Sequence, residues 1–82
     1  MNPPIYSKQA VKVLNSLDKP AKHRIKQGIE KIPEGDIKQI QGRAITTYRL
    51  RIGGWRILFS YVDSDTISIE KIAPRGEVYK GV

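Results

Sequence analysis

Cysteine is absent from this chain, which excludes both a disulfide framework and a thiolate metal site. Such an absence is typical of proteins from a reducing compartment. No apolar run approaches the roughly 18 residues that a membrane-spanning helix needs. The first residues, Met1-Asn2-Pro3-Pro4, lack the charged and apolar blocks of a secretory signal. We therefore expect a cytoplasmic protein without membrane association.

Histidine and clustered carboxylates are also scarce. The one histidine, His23, falls on the polar side of a predicted helix, so we assign it no catalytic role. Asp63 and Asp65 straddle a predicted turn, a position that aspartate favours. No set of these side chains has the spacing of metal ligands. We therefore expect no metal and no other cofactor.

Basic side chains are abundant in comparison. Fifteen Lys and Arg against eight Asp and Glu give a net charge of +7, and the 82 residues allow one domain, residues 1–82. Such an excess indicates a polyanionic partner, either a nucleic acid or an acidic protein segment, with a generally basic solvated surface as the alternative. Guanidinium groups bind phosphate well. Five of the six arginines lie in the second half of the chain, which we take as the site: Arg43, Arg49, Arg51, Arg56 and Arg75.

The first half predicts a short strand followed by two helices. Ile5-Tyr6 is the strand, and Ser7 and Asp18 are favourable helix N-caps. Pro33 ends the second helix. The link between the helices is so short that we expect an antiparallel pair. Their apolar positions recur at helical spacing, at Ala10, Val13, Leu14 and Leu17 and then at Ala21, Ile25, Ile29 and Ile32.

From Ala44 the apolar pattern changes from helical to alternating, which predicts strands. We expect strands over 45–52, 55–62 and 66–73, joined by turns at Gly53-Gly54 and 63–65. Residues 37–43 stay ambiguous between a loop and a short helix. The expected fold class is α+β, with the short N-terminal strand, the helix pair and a three-strand antiparallel meander, about four strands in all. The helices should cover one face of the sheet.

The Gly53-Gly54 turn fixes the register of the first hairpin. It places Arg51 opposite Arg56 and Ile52 opposite Trp55. Side chains alternate between the two faces of a sheet. Arg49, Arg51 and Arg56 therefore share one face, which we call the arginine face. The apolar face, under the helices, carries Tyr48, Leu50, Ile52, Trp55, Ile57, Phe59 and Tyr61.

Like charges that oppose each other directly destabilise a sheet. Two explanations of the arginine face stay open. Glu70, expected opposite Leu58 and diagonal to Arg56, compensates the charge, or else the cluster awaits an anion. The tail raises a similar choice, because Arg75 and Tyr79 could reach this face or belong to a terminus that packs at the sheet edge.

Three segments resemble the RelE/ParE superfamily of toxins. Residues 33–43, Pro-Glu-Gly-Asp-Ile-Lys-Gln-Ile-Gln-Gly-Arg, are similar to the segment that precedes its central strands. Residues 48–59, Tyr-Arg-Leu-Arg-Ile-Gly-Gly-Trp-Arg-Ile-Leu-Phe, resemble its central hairpin, and residues 75–80, Arg-Gly-Glu-Val-Tyr-Lys, its C-terminal motif. With the helix pair, the resemblance covers nearly the whole chain.

The resemblance implies a metal-independent endoribonuclease of the RelE type, which cleaves mRNA in the ribosomal A site by 2′-hydroxyl attack. It implies catalytic roles for Arg56 at the scissile phosphate, Arg75 at the leaving 5′-oxygen and Tyr79 at the attacking hydroxyl. RNA binding is expected of Arg49, Arg51, Arg43 and Lys80. Relatives often carry lysines where this chain has Arg49 and Arg51, and a glycine-containing approach where it has Ala73-Pro74. The implied partners are a cognate antitoxin, the ribosome with its mRNA, and operator DNA reached through the antitoxin complex.

Two alternatives to the nuclease are retained. ParE-like relatives share the fold and inhibit DNA gyrase without cutting RNA, but they usually lack the full set of Arg56, Arg75 and Tyr79. A domain without catalysis, which only binds an antitoxin, is the other alternative. Growth inhibition on expression would separate it from the two toxins.

Overall fold

The structure is a computed structural model that describes residues 2–74. Within that range, two helices and five strands follow one another. Their bounds are β1 Ile5–Tyr6, α1 Lys8–Ser16, α2 Lys19–Glu30, β2 Asp36–Ile40, β3 Thr47–Ile52, β4 Trp55–Asp63 and β5 Thr66–Pro74. The α+β class expected from the sequence is confirmed.

Both helices begin at the predicted caps. The Ser7 hydroxyl accepts a hydrogen bond from the Ala10 amide, and the Asp18 carboxylate accepts one from the Ala21 amide. These bonds satisfy amides that a helix N-terminus otherwise leaves without a partner. The Ser7 hydroxyl also donates to the Glu70 carbonyl, which ties the start of α1 to β5. α2 ends at Glu30, three residues before Pro33.

The strands form one sheet in the order β1-β5-β4-β3-β2. The strands β2 to β5 make an antiparallel meander, and β1 pairs parallel with β5 at the far edge. The meander thus has one strand more than the sequence predicted, because 36–40 forms β2. Ile37 and Ile40 are three residues apart, as on a helix, and an edge strand with little burial shows no clear alternation.

The register of the β3–β4 hairpin is confirmed. Arg51 pairs with Arg56, Leu50 with Ile57 and Tyr48 with Phe59. Gly53 adopts a φ of 55° in the turn, a conformation that glycine accepts without steric cost. The next turn contains two residues rather than three, since Asp63 pairs directly with Thr66.

The main core lies between the helices and the apolar face. α1 packs on β5 and β1, while α2 packs on β3. Gly28 allows the close approach of α2, because a Cβ there would clash with the Ile52 side chain. The fully buried side chains of this core come from both layers: Ala10, Ile25, Ile29, Ile57, Phe59, Ile67, Ile69 and Ile72.

The apolar face is not covered to its end. Phe59 is fully buried, but Tyr61 keeps 39% of its surface exposed and Trp55 is half-buried. The Tyr48 ring stacks on Phe59 at 5.5 Å between centroids and meets Tyr61 edge-on at 5.7 Å. These aromatic contacts extend the core beyond the helices, so the core role predicted for Phe59 holds and that for Tyr61 holds only in part.

Candidate functional site on the arginine face

The arginine face is defined by the pairing of two strands, β3 and β4. Arg51 on β3 lies opposite Arg56 on β4, and Arg49 lies one position along on the same face. Arg51 is exposed, Arg49 is half-buried, and Arg56 retains only 5% of its surface. The three arginines therefore share a face as the sequence predicted, but they differ strongly in contact with solvent.

Arg56 is held by the turn that precedes it. Its Nη1 donates to the Gly53 carbonyl at 3.2 Å and to the Trp55 carbonyl at 3.1 Å. A guanidinium has five donors in a rigid plane, so these two bonds fix its orientation. Arg24 approaches the same turn from α2, with Nη1 3.8 Å from the Cβ position at Gly53. The turn is thus flanked by two arginines, of which Arg24 had no predicted role.

Arg49 makes an ion pair with the neighbouring edge strand. Its Nη2 lies 3.5 Å from Asp36 Oδ1, and the Asp36 side chain is 58% exposed while that of Arg49 is 15% exposed. Arg49 Nε is buried without a hydrogen-bond partner among residues 2–74. An exposed pair of this kind contributes little stability. A phosphate could therefore compete with Asp36 for this guanidinium at small cost.

Glu70 is not where the sequence placed it. Lys71, not Glu70, pairs with Leu58, and Glu70 is the extra residue of a β-bulge between Lys71 and Ile69. Its Oε2 is buried without a hydrogen-bond partner in the described part of the chain. The predicted turn did not cause this error, because Tyr61 pairs with Ile67 and Phe59 with Ile69, as a turn at 63–65 requires. The bulge between Leu58 and Phe59 alone moves Glu70 from its expected place.

The structure adds two lysines that sequence reasoning missed. Lys38 on β2 pairs with Arg49, and Lys71 on β5 pairs with Leu58, so both lie on the arginine face. Lys38 could have been found only if 36–40 had been identified as a strand. Lys71 could have been found only if the bulge had been anticipated. The face thereby gains a cation on each side of the arginines.

A small apolar cluster separates these charges. Leu58 and Ala73 are buried on this face, with Ile40 packed against them. Arginine and lysine stems cover such a surface with their methylene groups while the charged ends reach solvent. The arginine face therefore has an apolar floor between its charged groups.

Not every predicted residue lies in this cluster. Arg43 is in the connection between β2 and β3, at the Ile40–Thr47 end of their ladder. Arg51 is at the opposite end of that ladder, four residues along β3 from Thr47, or about 13 Å at the usual strand rise. Arg75, Tyr79 and Lys80 lie outside the described residues. The RNA-binding role of Arg43 therefore stays a prediction without support from proximity.

Two clefts in the described part of the molecule lie away from the arginine face. One of about 280 Å³ is lined by Asn2, Pro3, Pro4, Ile29, Glu30 and Ile67. Another of about 150 Å³ lies beside α1 and α2. The pKa of Tyr6, at the second cleft, is raised by burial and secondarily by the negative charge of Glu30. Neither cleft includes a residue of the arginine face, and a polymer substrate suits an open face better than a small cleft.

Within residues 2–74, no group of three or more His, Cys, Asp or Glu side chains could hold a metal ion. No helix in the same range is long and apolar enough to cross a membrane.

Comparison with known proteins gives a likeness to a solved structure. No protein-family model matches the sequence, and no curated protein is significantly similar to it. Among solved structures, the chain is similar to one from a RelB-RelE antitoxin-toxin complex of Methanococcus jannaschii. The two share 30% sequence identity and superpose with a TM-score of 0.71, over 93% of this chain and 95% of the other.

Proposed function

The chain belongs to the RelE family of toxins, and from this premise we propose that it is an endoribonuclease that binds and cleaves RNA at its arginine face. The proposal rests above all on Arg56, a buried guanidinium that two carbonyls of a tight turn hold in place. Hydrogen-bond donors fixed in advance stabilise developing charge more strongly than donors that must first reorganise. Arg56 suits a phosphate whose negative charge increases in the transition state.

The proposed reaction is an internal transfer of the phosphoryl group. The 2′-hydroxyl oxygen attacks the adjacent phosphorus, and the bond from phosphorus to the 5′-oxygen breaks. The hydroxyl proton passes to a base, and the 5′-oxygen receives a proton, which leaves a 2′,3′-cyclic phosphate and a 5′-hydroxyl. No redox step or bound metal is needed for this balance.

Family resemblance supplies the proposed roles of the tail. Tyr79 takes the hydroxyl proton, and Arg75 assists the departing oxygen. A phenol has a pKa of about 10 and is a weak base at neutral pH. Nearby guanidinium groups favour the phenolate and would lower that pKa. A cluster of like charges that costs stability would therefore serve catalysis.

The proposed partners follow from charge and from the similar structure. The M. jannaschii structure contains an antitoxin and a toxin together. We propose a cognate antitoxin for this chain, with operator DNA reached through the complex, and a ribosome with mRNA as the substrate. The net charge of +7 suits a nucleic acid as well as an acidic segment of an antitoxin. An acidic antitoxin segment over the arginine face would block access to RNA.

Mapping the ends of mRNA on programmed ribosomes tests the function. Wild-type protein should cut in the A site, Arg56→Ala should lower the cleavage rate by about 10²–10³-fold, the usual effect of removing one transition-state donor, and Tyr79→Phe should nearly abolish cleavage. Lys12→Gln, an exposed change on α1, is the matched control for altered charge. Circular dichroism checks that each variant is folded.

Two results would contradict the proposal. Cleavage at the wild-type rate by both site variants would show that the catalytic roles assigned to Arg56 and Tyr79 are wrong. Induction of the DNA-damage response with mRNA intact would instead indicate the ParE-like inhibitor of gyrase.

A further inference from the structure

One row of the sheet carries a cation at each end. Lys71, Leu58, Arg49 and Lys38 lie side by side on β5, β4, β3 and β2, as successive partners in the ladder. The neighbouring row, through Arg56 and Arg51, ends instead at Asp36. The first row therefore offers a polyanion that crosses the strands a cation at both ends and no carboxylate, whereas the second row ends at a negative charge.

The dimensions of this row suit an extended backbone. Neighbouring strands are about 4.8 Å apart, so three gaps separate Lys71 from Lys38 by about 14 Å. That span exceeds the reach of a single phosphate and suits a short single-stranded segment. Leu58 at the centre of the row is uncharged and buried, and Arg56 lies beside it on the same strand. A backbone on this row would thus pass beside Arg56, which is two residues away along β4, or about 7 Å at the usual strand rise.

We propose that the phosphate backbone of single-stranded RNA crosses the sheet along this row, with Lys71 and Lys38 as its outer phosphate contacts. The inference rests on the proposed function and deepens it, because it gives the direction of the substrate over the site. Asp36 acts against binding, since it occupies the Arg49 guanidinium from 3.5 Å in the free protein. The backbone displaces this carboxylate when it binds.

The salt dependence of RNA binding tests the row. The probe is a short fluorescein-labelled oligoribonucleotide with 2′-O-methyl groups, which cannot undergo 2′-hydroxyl attack. Each lost phosphate contact reduces the slope of log K against log salt by about 0.7 for a single strand. Lys38→Gln and Lys71→Gln should each lower the slope by about that amount and weaken binding several-fold. Asp36→Asn should tighten binding.

Matched variants separate contact from net charge and from folding. Lys12→Gln removes the same charge from exposed α1 and should leave the slope near that of the wild type. Lys71 is half-buried, so Lys71→Arg, which keeps the charge, should retain the slope even if packing changes. If the slopes for Lys38→Gln and Lys71→Gln equalled that of Lys12→Gln, the proposal that RNA crosses the sheet along this row would be wrong.

The row and the proposed function fail in different ways. Loss of ribosomal cleavage in Arg56→Ala together with control-like slopes for both lysine variants would keep the nuclease and reject the row. Reduced slopes for both lysine variants, with no cleavage of mRNA by the wild type, would keep the row as a surface for RNA and reject the nuclease.

Discussion

The two faces of this sheet are made by the same strands and behave as opposites. On β4, Ile57 and Phe59 are fully buried beneath the helices, while Arg56 and Leu58 alternate with them toward the arginine face. The apolar face places hydrophobic side chains where burial stabilises them. The arginine face places Arg51 against Arg56, an arrangement that opposes folding.

This contrast separates two tasks within a very small domain. A chain of 82 residues has a thin core, so its stability must come mainly from one side of the sheet. The other side can then hold charges that would be intolerable in that core. Variants at neighbouring positions of one strand should therefore affect stability or RNA chemistry, according to the face on which they lie.

The largest effect is expected on the apolar face. Phe59→Ala removes a fully buried ring that stacks on Tyr48 and should lower the free energy of unfolding by about 3–5 kcal/mol. Urea denaturation followed by circular dichroism measures the change. Val62→Ala, on the same strand but 60% exposed, should stay within about 0.5 kcal/mol of the wild type. Equal losses in the two variants would break the contrast between buried and exposed positions.

A substitution in the turn between β3 and β4 should have an intermediate effect on stability. Gly53→Ala places a side chain at a φ of 55° and should cost about 1–2 kcal/mol. It should also reduce RNA cleavage, because the Gly53 carbonyl orients Arg56. Gly54→Ala is the control, since nothing lies within 4 Å of its Cβ position. Unchanged thermal stability of Gly53→Ala would show that the turn relaxes at little cost.

A smaller effect of opposite sign is expected on the arginine face. Arg51→Thr removes the charge opposite Arg56 and should stabilise the protein by about 0.2–1 kcal/mol. RNA binding should weaken in the same variant. The gain should shrink in 1 M salt, where the Debye length falls to about 3 Å. A destabilised Arg51→Thr would mean that Asp36, its other neighbour, already balances the charge.

The smallest effect is expected in the pH dependence of stability, through Tyr6, which packs against the main core. The pKa of Tyr6 is raised in the folded protein, first by burial and then by Glu30. A raised folded pKa means that the folded state keeps the proton longer than the unfolded state does. The associated stability is fully present below about pH 10 and is lost as pH rises through the folded pKa. Denaturation midpoints at high pH should fall less in Tyr6→Phe than in the wild type. Identical pH profiles would remove this assignment.

Much of the fold could be predicted because local signals agreed. Ser7 and Asp18 marked both helix starts, and Gly53-Gly54 set the hairpin register that brings Arg51 against Arg56. A two-residue turn leaves no freedom in pairing, so the arginine face followed from geometry alone.

The remainder depended on long-range effects that spacing does not reveal. β2 is an edge strand stabilised by pairing with β3, and its own residues carry no strand pattern. The bulge at Glu70 moved every assignment beyond it on β5. The sequence could place Arg56 on one face of the sheet. It could not show that the side chain is buried and bound by the Gly53 and Trp55 carbonyls, because both depend on the assembled sheet.

The parallel pairing of β1 with β5 has a consequence for the order in which the molecule can form. Ile5 pairs with Ser68 and Tyr6 with Ile69, so nearly the whole chain separates these partners. Contacts so distant in sequence form late, because the entropy of closing a long loop must be overcome first. During synthesis the N-terminal edge of the sheet must wait for β5 to be made. A growing chain therefore cannot complete the five-strand sheet of residues 2–74 until β5 has been synthesised.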